Sequence, residues 1–302
     1  DVVLICRGEH LTTIQRQGLT LKTPTENLQL PIPAVGHPTE ITFTAEDVVF
    51  LAMKSQDTEL ALRDLARVAG HDVPIVCAQN GVDNERMAAR RFAHVYGMIV
   101  WMPSTYLEPG VVLNYSTPIN GVLDVGGYPQ GVDPLSTQVA ADLTASGFSA
   151  RPDPYIMRWK YTKLLDNLRN ALQAICGLDA RGGEISRAAK QEALACYRAA
   201  GIEFVPQDEF RQRVQSEIQL ADIAGQPRGG GSSWQSLIRG LPSIEADFLN
   251  GEIVLLGALH GVPTPYNRLL QKVANDMVQP GKLPGSISVE ELQRMVTESE
   301  TH

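Results

Sequence analysis

The feature that most constrains this chain is an alternation between residues 47 and 93. Two short apolar runs, 47–53 (DVVFLAM) and 74–78 (PIVCA), are each followed by a polar turn and a helical stretch. The first stretch, 58–68, carries Leu60, Leu62, Leu65 and Val68 and is closed by Gly70; the second, 84–93, is rich in arginine. Unbroken aliphatic runs suit strands covered on both faces. Strand, turn and helix in that order predict a parallel α/β sheet. Such sheets take ligands at the carboxyl ends of their strands. The polar residues just past each run are therefore informative. Lys54 follows the first and Asn80 the second, and Arg7 follows residues 1–6 (DVVLIC), which predict a third buried strand. Together these three residues outline one rim.

The remaining first half predicts a small hairpin over 19–33. It also predicts antiparallel strands finishing the sheet between 96 and 125, a helix over 133–146 and an extended piece at 148–150. Pro152 and Pro154 then interrupt the chain, which sets the expected boundary between domains 1–152 and 153–302. A length of 302 residues is enough for two cores. A net charge of −8 excludes a general nucleic-acid surface, which needs a basic excess. No apolar run reaches membrane-spanning length. The four cysteines show no CxxC spacing and read as thiols of a reducing, cytoplasmic compartment, with no disulfide pairing expected. The six histidines form no HExxH or similar pattern, so no metal site is expected.

Beyond residue 153 the pattern reads as helical. Residues 159–175 (WKYTKLLDNLRNALQAI) have two faces. Leu164, Leu168, Leu172 and Ile175 form an apolar stripe, while Lys163, Asn167 and Asn170 line another at i, i+4 and i+7. One ammonium and two carboxamides suit a cleft that holds and protonates a small polar molecule; a solvated helix face is the simpler alternative. Further helices are expected over 184–200, 207–223, 243–260 and 267–277, with a mobile tail after Ser299. The glycine-rich 225–231 follows no strand, so it is not a phosphate-binding loop. Ser232 and Gln235 fit a capping box. Ser233 falls in the first turn of that helix, where free N–H groups favour a carboxylate, and Glu245 falls in the first turn of the next. Helix capping alone also accounts for the serines and the glutamate.

Four separated motifs then agree in order: FLAMKSQ at 50–56, CAQNGVDNE at 77–85, WKYTKLLDNLRNALQAICG at 159–177 and SSWQSLIRGLPSIEADFLNGEIV at 232–254. Over nearly its whole length the chain resembles the ketopantoate reductases (2-dehydropantoate 2-reductases), NADPH-dependent enzymes of pantothenate biosynthesis. The resemblance implies an N-terminal Rossmann-like dinucleotide-binding domain and an all-α C-terminal domain. It implies Lys163 as proton donor, with Glu245 as its partner at substrate and cofactor. Ser233 would take the substrate carboxylate, and Asn167 and Asn170 would orient the substrate. Lys54 and Asn80 would face the nicotinamide ribose and the substrate. Arg7 stands where an acidic residue would bind the ribose of NAD, which points to NADP. The substrate implied is a small oxo acid, with 2-dehydropantoate foremost. Another oxo acid, or a non-catalytic NADP-binding protein, are the alternatives, and a homodimer through the helical domain is left open.

Two departures stand out. The family opens with a strand and a GxGxxG turn, and this sequence starts where the family's second strand would be, so a segment upstream of Asp1 is expected. Many members also carry asparagines four and eight residues after the lysine, whereas here they follow at four and seven.

Overall fold

The computed structural model describes residues 1–180, 183–279 and 282–299. A four-stranded sheet organises the first half, in the order Val125–Gly127, Val95–Met98, Ile75–Cys77, Val49–Leu51. The last three are parallel to one another and Val125–Gly127 runs against them. Helices Ser55–Ala66 and Asn84–Ala89 follow the strands Val49–Leu51 and Ile75–Cys77. Side chains alternate across a strand. Ile75 and Cys77 accordingly join Leu51, Leu62, Leu65, Met87 and Phe92 on one face of the sheet. Val76 joins Tyr96, Met98, Val125 and Val139 on the other. Helix Pro134–Ala145 covers that second face, and its start is capped by the Asp133 carboxylate accepting from the Ser136 N–H.

Three expectations about the first half need correction. Val95–Met98 is parallel, because the helix before it returns the chain to the same end of the sheet. Val111–Asn114 lies in a second sheet, pairing parallel with Leu19–Lys22, which forms the expected hairpin with Asn27–Leu30. The N-terminal run is not a buried strand of the main sheet. Leu4–Ile5 pairs with Ala34–Val35, and Val2, Val3 and Ile5 are 64%, 46% and 42% exposed. A two-residue ribbon covers neither face of such a run. A helix unanticipated by the pattern, Gly8–Gln17, follows it, with Arg7 as its N-cap.

The second half is built from helices around two cores. Leu172, Ile175, Ile185, Leu270 and Leu292 mark one, and Leu164, Leu165, Leu168, Tyr197 and Ile253 the other. The all-α expectation needs one amendment. The helix expected over 207–223 ends at Gln215, and Ile218–Leu220 becomes a strand paired antiparallel with Ser116–Pro118. The expected mobile tail after Ser299 lies outside the described residues. No described helix is long and apolar enough to cross a membrane.

The two halves meet where helix Ile156–Asn167 packs on Val95–Met98 and Val125–Gly127. Glycines permit the approach. A Cβ on Gly97 would lie 3.1 Å from Ile156, and one on Gly126 would lie 1.9 Å from the Asp153 carbonyl oxygen. Beside this seam, buried Asp124 receives the Arg213 guanidinium at 2.5 Å and that of Arg151 at 3.4 Å.

Candidate active site

The expected helix over 159–175 exists as two segments, Ile156–Asn167 and Arg169–Cys176, joined at Leu168. The Asn250 Nδ2 donates to the Leu168 carbonyl at 3.2 Å, at the joint between the two segments. The predicted apolar stripe is buried throughout. The polar stripe is not a solvated face: Lys163 and Asn170 are buried and Asn167 is half-buried. The Asn167 Oδ1 is buried with no hydrogen-bond partner among the described residues.

Glu245 is the hub of the site. The helix expected from residue 243 instead begins as a 3-10 turn, Glu245–Phe248, and continues as Asn250–His260. The turn sets Glu245 in the seam between the halves. There its Oε1 accepts from the Ser55 N–H and Oγ, both at 3.2 Å. Its Oε2 lies 3.1 Å from the Lys54 Nζ and 3.4 Å from the Ser232 Oγ. The Asn170 Nδ2 reaches the same Ser232 Oγ at 3.5 Å, linking the lysine helix to the glutamate. Asn80 lies against this group through its backbone, whose carbonyl accepts from the Ser55 Oγ and from the Asn84 Nδ2.

Lys163 donates to the Val100 carbonyl. Burial, reinforced by the cation of Lys160, lowers its pKa from 10.5 to about 7, against the opposing pull of Glu245 and Asp166. A lysine that titrates near pH 7 suits proton donation and recapture.

The expected capping box does not form. Gly231 is the N-cap of helix Ser232–Ile238, so Ser232 turns its hydroxyl to Glu245 instead. Gln235 spends its amide on the Ser104 and Gly230 carbonyls and accepts from the Tyr106 N–H. Ser233 is buried in the first turn. The structure thus brings Lys54, Asn80, Asn170 and Glu245 together, with Ser233 adjacent in sequence to Ser232 and Asn167 one turn after Lys163. Arg7 stands apart from them. Its guanidinium is 61% exposed and lies 3.7 Å from Asp64, on the side of helix Ser55–Ala66 that faces the N-terminal ribbon. Sequence reasoning does not single out Ser55 and reads Ser232 only as a helix cap, although both hold Glu245; the signal for Ser55 is its adjacency to Lys54. It also passes over Lys160 and Glu85, although each lies inside a motif. Among the described residues no cluster of three or more His, Cys, Asp or Glu side chains could hold a metal ion.

This two-part architecture, with a strand-end rim facing a lysine-bearing helix, is that of a dinucleotide-dependent oxidoreductase fold. Residues 1–129 match the family described as Ketopantoate reductase PanE/ApbA, and residues 155–278 match its C-terminal counterpart. The chain belongs to the ketopantoate reductase family. It is 28% identical over 273 residues to the 2-dehydropantoate 2-reductase of Pyrococcus horikoshii, covering 89% of this chain and 87% of that protein. It is 27% identical over 281 residues to the enzyme of the same name from Archaeoglobus fulgidus, with the same coverage. Among solved structures, a PanE/ApbA family ketopantoate reductase from Ralstonia eutropha JMP134 superposes with a TM-score of 0.72 at 24% identity, covering 100% of this chain and 92% of that one. A D-mandelate dehydrogenase bound to NADH and anilino(oxo)acetate shares the fold at a TM-score of 0.75 and 21% identity, covering 92% and 91%.

Proposed function

We propose that the protein reduces the ketone of a small 2-oxo acid to a hydroxyl, using NADPH, and that 2-dehydropantoate is the substrate. The observation that carries this reading is a buried lysine of pKa about 7 under the electrostatic pull of Glu245, a carboxylate held by Lys54 and Ser55 of the first half and Ser232 of the second. The names of the curated relatives support the substrate.

A bound nicotinamide dinucleotide supplies a hydride to the carbonyl carbon. The residues present fit such a group. Arg7 offers an exposed guanidinium at the N-terminus of helix Gly8–Gln17, which would hold a 2′-phosphate with the help of the helix dipole. Lys54 and the Asn80 amide would serve the nicotinamide ribose and the substrate.

The chain's own residues do the rest. The Lys163 ammonium polarises the substrate carbonyl and gives its proton to the developing alkoxide oxygen, so C=O becomes CH–OH. The neutral amine left behind is the form that burial favours, which assists the transfer. Glu245 accepts a hydrogen bond from the substrate and opposes the loss of charge on Lys163. The free Asn167 Oδ1 accepts from a substrate hydroxyl, while Asn170 orients the substrate beside Ser232. Ser233, in a first helical turn, receives the carboxylate.

The test is NADPH oxidation with 2-dehydropantoate against a panel of 2-oxo acids, repeated with NADH. Turnover of 2-dehydropantoate well above every other acid is expected. Brisk turnover of a different acid would replace the substrate, and a preference for NADH would remove the role given to Arg7.

A further inference from the structure

Directly behind the lysine of the site lies a second buried cation that the proposed chemistry does not use. The Lys160 Nζ is 2.5 Å from the Glu85 Oε1. It also donates to the Gln79 carbonyl at 3.0 Å and the Cys77 carbonyl at 3.5 Å. Both side chains are almost wholly withdrawn from solvent, and the Glu85 Oε2 has no hydrogen-bond partner among the described residues. The pair joins the two halves. Lys160 belongs to the first helix of the second half, while Glu85 opens a helix of the first half and Cys77 and Gln79 end its strand. Gln79 is itself tied down, its Nε2 donating to the Met53 carbonyl and the Thr58 Oγ1.

A buried ion pair is a poor way to gain stability, because desolvation offsets most of the attraction and apolar residues of the same size pack as well. Its presence here is better explained by where it puts a charge. Lys160 precedes Lys163 by three residues on one helix, so the two side chains share a face.

We propose that Lys160 and Glu85 are positioning residues for Lys163: the pair pins the lysine helix to the strand end and fixes a cation one turn behind the proton donor. The pair is neutral as a whole, yet Lys163 feels it as a cation. Lys160, three residues away on the same helix, lowers the Lys163 pKa, while Glu245 and Asp166 raise it, and Glu85 screens Lys160 only in part. Charged groups on neighbouring elements are engaged with partners of their own, Arg86 with Glu252 among them. Tyr96 turns its hydroxyl to Asp133, and Arg213 is taken by Asp124 and Glu217. Burial pushes the Glu85 carboxyl up from its ordinary value and Lys160 draws it back, which keeps the two groups interdependent.

This role rests on Lys163 being the proton donor, so the test must separate the two. The double variant Lys160→Met/Glu85→Gln removes both charges without leaving either buried alone. Lysine ε-carbon NMR titration of the protein without substrate reads Lys163 directly, assigned by loss of its signal in Lys163→Met. The Lys163 titration is expected to move up by about one pH unit, and the alkaline limb of kcat/KM for oxo-acid reduction to move with it. kcat should fall while KM stays near the parent's value. A folded double variant in which Lys163 titrates as in the parent would overturn the proposal. If the double variant does not fold, Glu85→Gln alone decides: with the cation kept and its partner gone, Lys163 should titrate below the parent, and an unchanged or higher value overturns the proposal. Lys160→Arg keeps the charge and should restore the parent titration. A titration that moves while the activity limb stays fixed would remove Lys163 as the donor, and with it the positioning role.

Discussion

On the proposed function Lys163 is the proton donor, and its environment gives two separate predictions. With its pKa near 7, the reductive direction should be fastest below neutrality, and kcat/KM should fall about ten-fold for each pH step of one above it. The reverse oxidation should show the opposite limb, because there the neutral amine must accept the proton. Lys163→Ala should lower turnover by several orders of magnitude while NADPH still binds, as read by fluorescence titration; near-parent turnover would exclude the lysine as donor. The second prediction concerns stability. In the folded protein the lysine loses its proton near pH 7, whereas in the unfolded chain it holds it to about 10.4. Between those values the unfolded state binds the extra proton, so this residue's contribution makes the fold more stable as pH rises through the window. Below pH 7 its destabilising effect is fully present. Lowering a pKa by one corresponds to about 1.4 kcal/mol, so the burial of this ammonium outweighs the roughly 1 kcal/mol of its hydrogen bond to Val100. Lys163→Met should therefore raise Tm at pH 7 by on the order of a few degrees. The gain should shrink toward pH 10.5, and thermal melts across that range check it.

At the scale of elements, the joint at Leu168 is where a distant side chain meets the lysine helix. The Asn250 Nδ2 holds both the Leu168 carbonyl and the Asn267 Oδ1, at 3.2 and 3.0 Å, inside a fully buried contact. Asn250→Ala leaves those two acceptors unpaired, and about 1–3 kcal/mol for each is the expected loss, seen as a lower urea midpoint. An unchanged midpoint would mean that this contact does not hold the joint. This element also marks the limit of what the residues alone disclose. Lys163, Asn167 and Asn170 are legible because helical spacing puts them on one face, and the break does not scramble that face. The joint and its contact are not legible, since the side chain that meets Leu168 lies some 80 positions away. The same holds for Ser232. Local spelling, S-x-x-Q, favours a capping box, but a carboxylate and an amide brought from distant elements compete for the hydroxyl, and Gln235 is engaged by the loop near Ser104. The strand Ile218–Leu220 escapes a local reading for a related reason. Its partner Ser116–Pro118 supplies the ladder, and nothing within 207–223 announces it.

Across the whole molecule, the order of strands and helices reads correctly where hydrophobic runs are long and buried on both faces, as at Ile75–Cys77, and incorrectly where pairing is decided over distance, as at Leu4–Ile5 and Val111–Asn114. The relation between the halves also lies beyond local pattern, and it governs access to the site. Gln235 binds the loop of residues 104–106 from one half to Gly230 in the other through three hydrogen bonds, at 3.1, 3.2 and 3.0 Å. The Arg239 guanidinium sits 4.0 Å over the Tyr106 ring, and His10 packs its ring 4.7 Å from the same tyrosine. These contacts close the loop against helix Ser232–Ile238, whose first turn carries Ser232 and Ser233. If these contacts gate the cleft, loosening them changes substrate binding more than the chemical step. A hydrogen bond in such a place is worth about 1 kcal/mol. Gln235→Ala should therefore weaken the closed arrangement enough to raise KM for the oxo acid by on the order of ten-fold. The residues that touch the reacting atoms are left in place, so kcat should change much less. Steady-state kinetics on Gln235→Ala, with Arg239→Ala as an independent lesion of the same closure, measure this; parent-like KM in both variants would show that the loop does not gate the cleft.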